Sequence, residues 1–161
     1  MRIVVVSDTH VPDFATALPA KLFPALRRAD LILHAGDVTA AEVLRELSDF
    51  APVHVALGNG DRRDVLGWGA RPEVVVDIDG LSIAMVHDAG TRRGRERRMR
   101  KRFPHARLVI FGHSHIPIDA EMDGQRLFNP GSPTWKRREP APTFGTLTTS
   151  AGHVVTRIVE L

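Results

Sequence analysis

The chain has no cysteine. Disulfides, thiolate catalysis and Cys-ligated zinc are therefore excluded. Any metal must be held by His, Asp, Asn or Glu, donors that suit a hard or borderline ion. The chain also lacks an apolar stretch long enough to cross a bilayer, and Met1-Arg2 leads straight into an apolar strand with no signal peptide. A cytoplasmic protein without a membrane partner is the expectation. There is no internal repeat and no linker, so residues 1–161 are expected to form one domain. What is present is ordinary for a globular protein: 43% hydrophobic and 25% charged residues suffice for a real core and argue against disorder. The net charge of +3 and a pI near 10.1 reflect Arg in excess. They favour anionic partners in general without naming one. The oligomeric state stays open, a homo-oligomer included.

Ile3–Val6 is short, β-branched and ends in a polar turn, which predicts a buried strand. From Asp13 to Arg28 the spacing of Leu18, Leu22 and Leu26 gives one apolar helical face, but Pro19 and Pro24 keep the helix broken or short. Leu31–His34 reads as a second strand. Thr39 and Glu42 form a capping box for a helix to about Phe50, with Val43, Leu44 and Leu47 as its buried stripe. Pro52 opens a third strand, Val53–Leu57. Strand–helix–strand–helix–strand predicts a parallel sheet with right-handed crossovers.

Arg62 to Arg71 reads as an irregular loop. Beyond it, Val74–Ile78 and Leu81–His87 flank Asp79-Gly80, Ile116–Met122 and Gln125–Phe128 flank Asp123-Gly124, and Thr143–Thr149 and His153–Val159 flank Ala151-Gly152. Each pair predicts a hairpin. Arg92–Phe103 reads as a basic helix, Leu108–Phe111 as a buried strand, and Asn129-Pro130-Gly131-Ser132 as a tight turn. Lys136–Pro142, with three basic residues and two prolines, looks the most mobile stretch. Two sheets packed face to face with helices outside accommodate both halves.

The first strand runs into Asp8-Thr9-His10. A carboxylate and an imidazole just past a strand's carboxyl end can aim at one point in the crevice above a sheet. Alone, the pair is open to two readings, a metal half-site or a turn with a capping Asp. The pattern then repeats. The second strand ends in Ala35-Gly36-Asp37, the third in Gly58-Asn59-Gly60-Asp61, and later strands end in His87 and in Gly112-His113-Ser114-His115. A structural protein has no need of that regularity. Asp8, His10, Asp37, Asn59, His87, His113 and His115 are oxygen and nitrogen donors that suit divalent Mn, Fe, Co, Ni or Zn. They are too many for one ion with open positions and about right for two ions sharing a carboxylate.

These motifs, in this order and together with His34-Ala35-Gly36-Asp37 and Asn129-Pro130-Gly131-Ser132, resemble those of the calcineurin-like metallophosphoesterases. The resemblance runs from Met1 to the last hairpin. It is nearest to the small bacterial and archaeal phosphodiesterase branch, to which the eukaryotic retromer scaffold subunit is related. It implies an α/β fold, an αββα sandwich of two mixed β-sheets flanked by helices. It also implies a binuclear-metal phosphodiesterase with two divalent ions, Mn²⁺ first among them. One ion would take Asp8, His10, Asp37 and His115, and the other Asp37, Asn59, His87 and His113. Asp37 would bridge them, and a hydroxide between the ions would attack phosphorus. Asp61, the other residue assigned to catalysis beside Asp37, would orient a ligand imidazole.

Two positions depart from the family pattern. Gly60 stands where many relatives have a His that stabilises the transition state or protonates the leaving group. Its loss implies modest turnover and a preference for leaving groups that need little protonation. Asp88 follows His87 where Gly is usual, and is either a turn former or a site residue that touches substrate. Arg92 and Arg93 open the basic run at the expected rim of the site, where they would contact an anionic substrate. For the run as a whole, a solvated helix face, steering of a phosphoester and nucleic-acid binding all stay open, although no interleaved aromatics support base stacking. His34 and His54, in apolar strands, read as hydrogen-bonded structural residues, and Asn129 and Ser132 as turn residues. The function classes are thus a phosphodiesterase for small phosphoesters, a metal-binding scaffold of the same fold without catalysis, and a nucleic-acid-directed phosphoesterase.

Overall fold

The computed structural model describes residues 1–161. Two mixed five-stranded sheets stack with a few short helices outside them. The first sheet contains β1 (Arg2–Val6), β2 (Leu31–His34), β3 (Val53–Val55), β9 (Thr143–Ser150) and β10 (His153–Glu160), in the order β10-β9-β1-β2-β3. The second contains β4 (Glu73–Ile78), β5 (Leu81–Val86), β6 (Leu108–Ile110), β7 (Ile118–Met122) and β8 (Gln125–Asn129), in the order β4-β5-β6-β8-β7. Within each sheet three strands run parallel, β1-β2-β3 and β5-β6-β8; β4, β7 and β10 join by antiparallel hairpins, and β9 pairs antiparallel with β1 from the far end of the chain. The three sequence-predicted hairpins form. Asp79-Gly80, Asp123-Gly124 and Ala151-Gly152 all have positive φ at both positions, as a two-residue turn matching strand twist requires.

Alternation along β1 explains the layers. Ile3 and Val5 point between the sheets, where they meet Leu33, Ile83, Met85, Ile110 and Phe128; Val4 and Val6 point outward to Leu22, Leu26, Leu44 and Leu47. Each such fully buried side chain contributes about 1.5–3 kcal/mol relative to exposure. On the far side of the second sheet, Val109, Phe111 and Leu127 pack against Met99 and Phe103 of the basic helix region.

The helices differ from expectation in detail. The Leu18, Leu22 and Leu26 face is buried, but it rides on one turn of 3₁₀ helix, Ala20–Leu22, and a four-residue α1, Phe23–Leu26. Helix α2 spans Ala41–Ser48, and Thr39 does not cap it. Thr39 sits at φ 83° with its amide given to Asp61; the cap comes from Asp64, whose Oδ2 accepts the Ala41 amide at 2.8 Å. Asp64 belongs to α3, Arg63–Trp68, in the stretch expected to be an irregular loop. The third strand is shorter than expected, and His54 on it is exposed rather than structural. Helix α4 keeps only Arg95–Arg102 of the basic run. In the Lys136–Pro142 stretch a turn closes between Glu139 N–H and the Lys136 carbonyl, and Lys136 Nζ donates to the Glu139 carbonyl at 2.7 Å.

One glycine controls the fit of the two sheets. A Cβ on Gly145 of β9 would overlap the Phe128 ring, which crosses from the second sheet. Gly145→Ala is expected to lower unfolding stability by about 1–3 kcal/mol through overpacking, read as a lower urea midpoint at unchanged slope. An unchanged midpoint would show that Phe128 has room to move.

Candidate metal centre

Because β1, β2, β3, β5, β6 and β8 deliver their carboxyl ends to one edge of the sandwich, six polar loops converge there. Cross-links between the loops fix them. Asp8 N–H donates to the Gly36 carbonyl, Gly112 N–H to the His87 carbonyl, and His113 N–H to Asp8 Oδ2 at 3.0 Å. Ser132 Oγ, from the turn after β8, donates to the Asp8 carbonyl at 2.7 Å. Asn129 closes that turn: its Nδ2 donates to the Gly112 carbonyl and its Oδ1 accepts the Gly131 amide.

Two clusters of donor atoms result, Asp8 with His10 and His115, and Asp37 with His87 and His113. In the first, His115 Nε2 lies 3.3 Å from Asp8 Oδ1 and 3.3 Å from His10 Nε2. In the second, His87 Nε2 lies 3.3 Å from Asp37 Oδ2 and 3.3 Å from His113 Nδ1. Asp37 stands between them, because the same Oδ2 is 3.6 Å from His10 Nε2. Its other oxygen accepts the Gly60 amide at 2.7 Å. All of these residues are buried except His113, which is exposed.

The imidazoles are set for coordination by their rear contacts. His87 Nδ1 is 2.7 Å from the Ala35 carbonyl, and His115 Nδ1 is 2.6 Å from the Trp135 carbonyl. A carbonyl can only accept, so each Nδ1 carries a proton and each Nε2 is the nitrogen turned to the cluster, where it ligates once it holds no proton. Buried carboxylates and neutral imidazoles at these spacings fit divalent cations of the hard or borderline kind. The backbone is strained to achieve this. Asp8, His10, Asp37, His113 and His115 all have φ between 47° and 67°, a region that non-glycine residues rarely occupy and that is favoured at functional sites. Gly58 must stay a glycine, since a Cβ there would overlap the Asp37 nitrogen and Oδ1.

Charge coupling follows the same geometry. Burial raises the Asp37 carboxyl, but the hydrogen bond and charge of His87, the Gly60 amide and His10 outweigh it and bring it down to about 2. Burial lowers His87, yet its hydrogen bond to Asp37 and the charges of Asp8 and Asp37 hold it above its ordinary value. At His10 burial prevails over Asp37 and Asp8, and the ring stays below its ordinary value. A cation entering beside His87 competes with a proton for Nε2, so occupancy rises with pH.

Other residues singled out in the sequence lie as follows. Asn59 is exposed between Gly58 and Gly60, and no hydrogen bond holds its side chain. Asp61 reaches no imidazole. Its oxygens accept the backbone amides of Thr39 at 2.9 Å and Gly58 at 2.7 Å, tying the loops after β2 and β3 together, and burial raises its carboxyl. Asp88 is exposed and bonds the Gly90 amide in a local turn. Arg92 and Arg93 are exposed, and Arg92 lines, with Arg95, Ser114 and Ile116, a groove of about 410 Å³ beside the His113–His115 loop. Sequence reading missed Thr134, whose Oγ1 donates to the Thr9 carbonyl, and Trp135, whose carbonyl orients His115. A tryptophan three residues beyond the Pro-Gly-Ser turn was the one available signal.

Residues 1–152 match the family model of the calcineurin-like phosphoesterase superfamily domain. A probable metallophosphoesterase of Methanothermobacter thermautotrophicus is 38% identical over 139 residues, covering 85% of this chain and 80% of the relative. Among solved structures, vacuolar protein sorting 29 of Cryptosporidium parvum superposes with a TM-score of 0.86 at 22% identity, over 99% of this chain and 91% of that one. An archaeal phosphodiesterase superposes at 0.75 with 23% identity, over 99% of this chain and 100% of that one. The two structural likenesses speak to the fold. The sequence matches establish that the chain belongs to the calcineurin-like phosphoesterase superfamily.

His34, behind the cluster, is fully buried and supplies a pH test. Its Nδ1 accepts the Gly36 amide and its Nε2 donates to Thr9 Oγ1, which itself donates to the Val38 carbonyl. No acceptor remains for a second proton, and burial, against the charges of Asp8 and Asp37, lowers the imidazole to about 3. The unfolded chain takes up that proton near pH 6.5, so stability is full above this value and falls as pH drops toward 3. The slope is at most about 1.4 kcal/mol per pH unit. His34→Gln is expected to flatten that slope in urea unfolding between pH 6.5 and 4. An equal slope in the two proteins would contradict the assignment.

Proposed function

We propose that the chain is a binuclear-metal-dependent phosphodiesterase acting on small phosphoesters. The observation that carries this reading is the pair of donor clusters meeting at Asp37. Asp8, His10 and His115 would hold one divalent cation and His87 and His113 the other, with Asp37 shared and Asn59 completing the second set. Mn²⁺ is the first candidate, and Ni²⁺, Fe²⁺, Co²⁺ and Zn²⁺ suit the same donors. Two such cations supply Lewis acidity to the phosphoryl oxygens and make a water acidic enough to act at neutral pH.

The chain's own residues do the rest. The Ala35 and Trp135 carbonyls keep the His87 and His115 rings in the ligating tautomer. Asp61 holds the Gly58-Asn59-Gly60 turn against Asp37. Gly60 offers no proton to a leaving group, so diesters of acidic alcohols or phenols are the preferred substrates in this reading.

A second reading, a scaffold that binds metal and partner proteins without chemistry, draws on Gly60 and on the fold shared with vacuolar protein sorting 29. The presence of His10 and of every other expected ligand position favours the enzyme over a scaffold that has lost the chemistry. The nucleic-acid reading is weakened by how the basic run is used. Arg95 and Arg98 bind carbonyls of residues 89–93, Arg100 those of Met122 and Asp123, and Arg102 pairs with Glu73.

Hydrolysis of bis-p-nitrophenyl phosphate with added Mn²⁺ tests the proposal. Asp37→Ala is expected to lower the rate by about 100-fold or more, since it removes the shared ligand from both cations. Equal rates in the two proteins would eliminate the enzyme in this form.

A further inference from the structure

An aromatic wall beside the first cluster has no part in the hydrophobic core. Phe14 and Trp135 stack with ring centroids 3.9 Å apart and planes 8° from parallel. Both stand edge-on to the His10 ring, at 5.4 and 5.3 Å, and Trp135 stands edge-on to the His115 ring at 5.0 Å. Neither aromatic belongs to any of the core clusters. Phe14 is 57% exposed and is the one aromatic among the large hydrophobic side chains left in water. Arg137 lies over the Trp135 ring with its guanidinium carbon 4.8 Å from the centroid, and no carboxylate pairs with it. An exposed π-face and an unpaired guanidinium thus adjoin the donors Asp8, His10 and His115.

We propose that Phe14 and Trp135 form a wall that binds a planar aromatic substituent of the phosphoester, so that the site selects aryl or nucleoside phosphoesters over alkyl ones. The inference rests on the phosphoester reading of the two clusters and names its substrate class. A phosphoryl group seated between the clusters carries its ester substituent one linkage away, toward the wall or toward the groove at Arg92. Only the wall offers aromatic faces. Stacking a ring on an aromatic side chain raises affinity by about fivefold or more, and Arg137 adds positive charge beside the wall. The competing role for the wall is to brace the rings of His10 and His115. That role would affect every phosphoester equally.

Calorimetric titration of the Mn²⁺-loaded protein with phenylphosphonate and methylphosphonate separates these cases, because both carry the same uncleavable charged group. Phenylphosphonate is expected to bind at least about fivefold more tightly. Phe14→Ala should bring the two affinities together, and Phe14→Tyr should restore the preference. Equal affinities in the unaltered protein would overturn the proposal. So would a Phe14→Ala variant in which both ligands weaken by the same factor. Binding of neither phosphonate would remove the phosphoester reading itself and this inference with it, an outcome distinct from equal binding of both.

Discussion

The Asp37 carboxylate is the contact on which the site depends. One of its oxygens lies within 3.6 Å of His10 and 3.3 Å of His87, residues contributed by different sheets. The other is fixed by the Gly60 amide. Such a carboxylate is stable only if its surroundings are built for it. Gly58 leaves the space, Asp61 secures the turn, and the His87 side chain supplies the charge that keeps Asp37 ionised despite burial. The strained backbone at Asp8, His10, Asp37, His113 and His115 is a cost the two packed sheets must offset. The packed apolar layer of Ile3, Val5, Leu33, Ile83, Ile110 and Phe128 between the sheets provides that support.

The basic helix region supports the same edge. Arg95 is buried with its guanidinium 4.7 Å from the Phe111 ring and donates to the Gly90 carbonyl. Arg98 gathers the carbonyls of Ala89, Thr91 and Arg93. Together they hold the loop that follows His87, so part of a charge run whose sequence leaves a solvated face, substrate steering and nucleic-acid binding open is a strut. Its cationic heads satisfy backbone groups that a loop of this shape leaves without partners. Arg92 and Arg93 remain exposed at its start, beside the site.

Much of this was legible in the sequence because its signals are local. Short apolar runs ending in polar turns marked the parallel strands β1, β2 and β3, and dipeptides with Gly second marked all three hairpins, whereas the parallel pairing of β5, β6 and β8 in the second half had no such signal. Most of the misses trace to long-range contacts. Thr39 looks like a cap, but Asp61 takes its amide and Asp64, 23 residues from Ala41, caps the helix instead. Helix α3 escaped notice because Gly67 and Gly69 dilute its pattern and its N-terminal residue, Arg62, has no capping side chain. Asp61 had the right address but a different bond, to backbone amides rather than an imidazole. The Phe14–Trp135 stack carries no sequence signal, since only the fold brings a loop after β1 against the loop after β8.

Metal stoichiometry tests the central claim most directly. Isothermal titration of the chelator-treated protein with Mn²⁺ should give two ions per chain. His10→Ala and His113→Ala should each retain one, from opposite sides of the pair, and Asp37→Ala should retain neither at comparable affinity. A single Mn²⁺ in the unaltered protein, or two in Asp37→Ala, would contradict a pair of cations joined through Asp37.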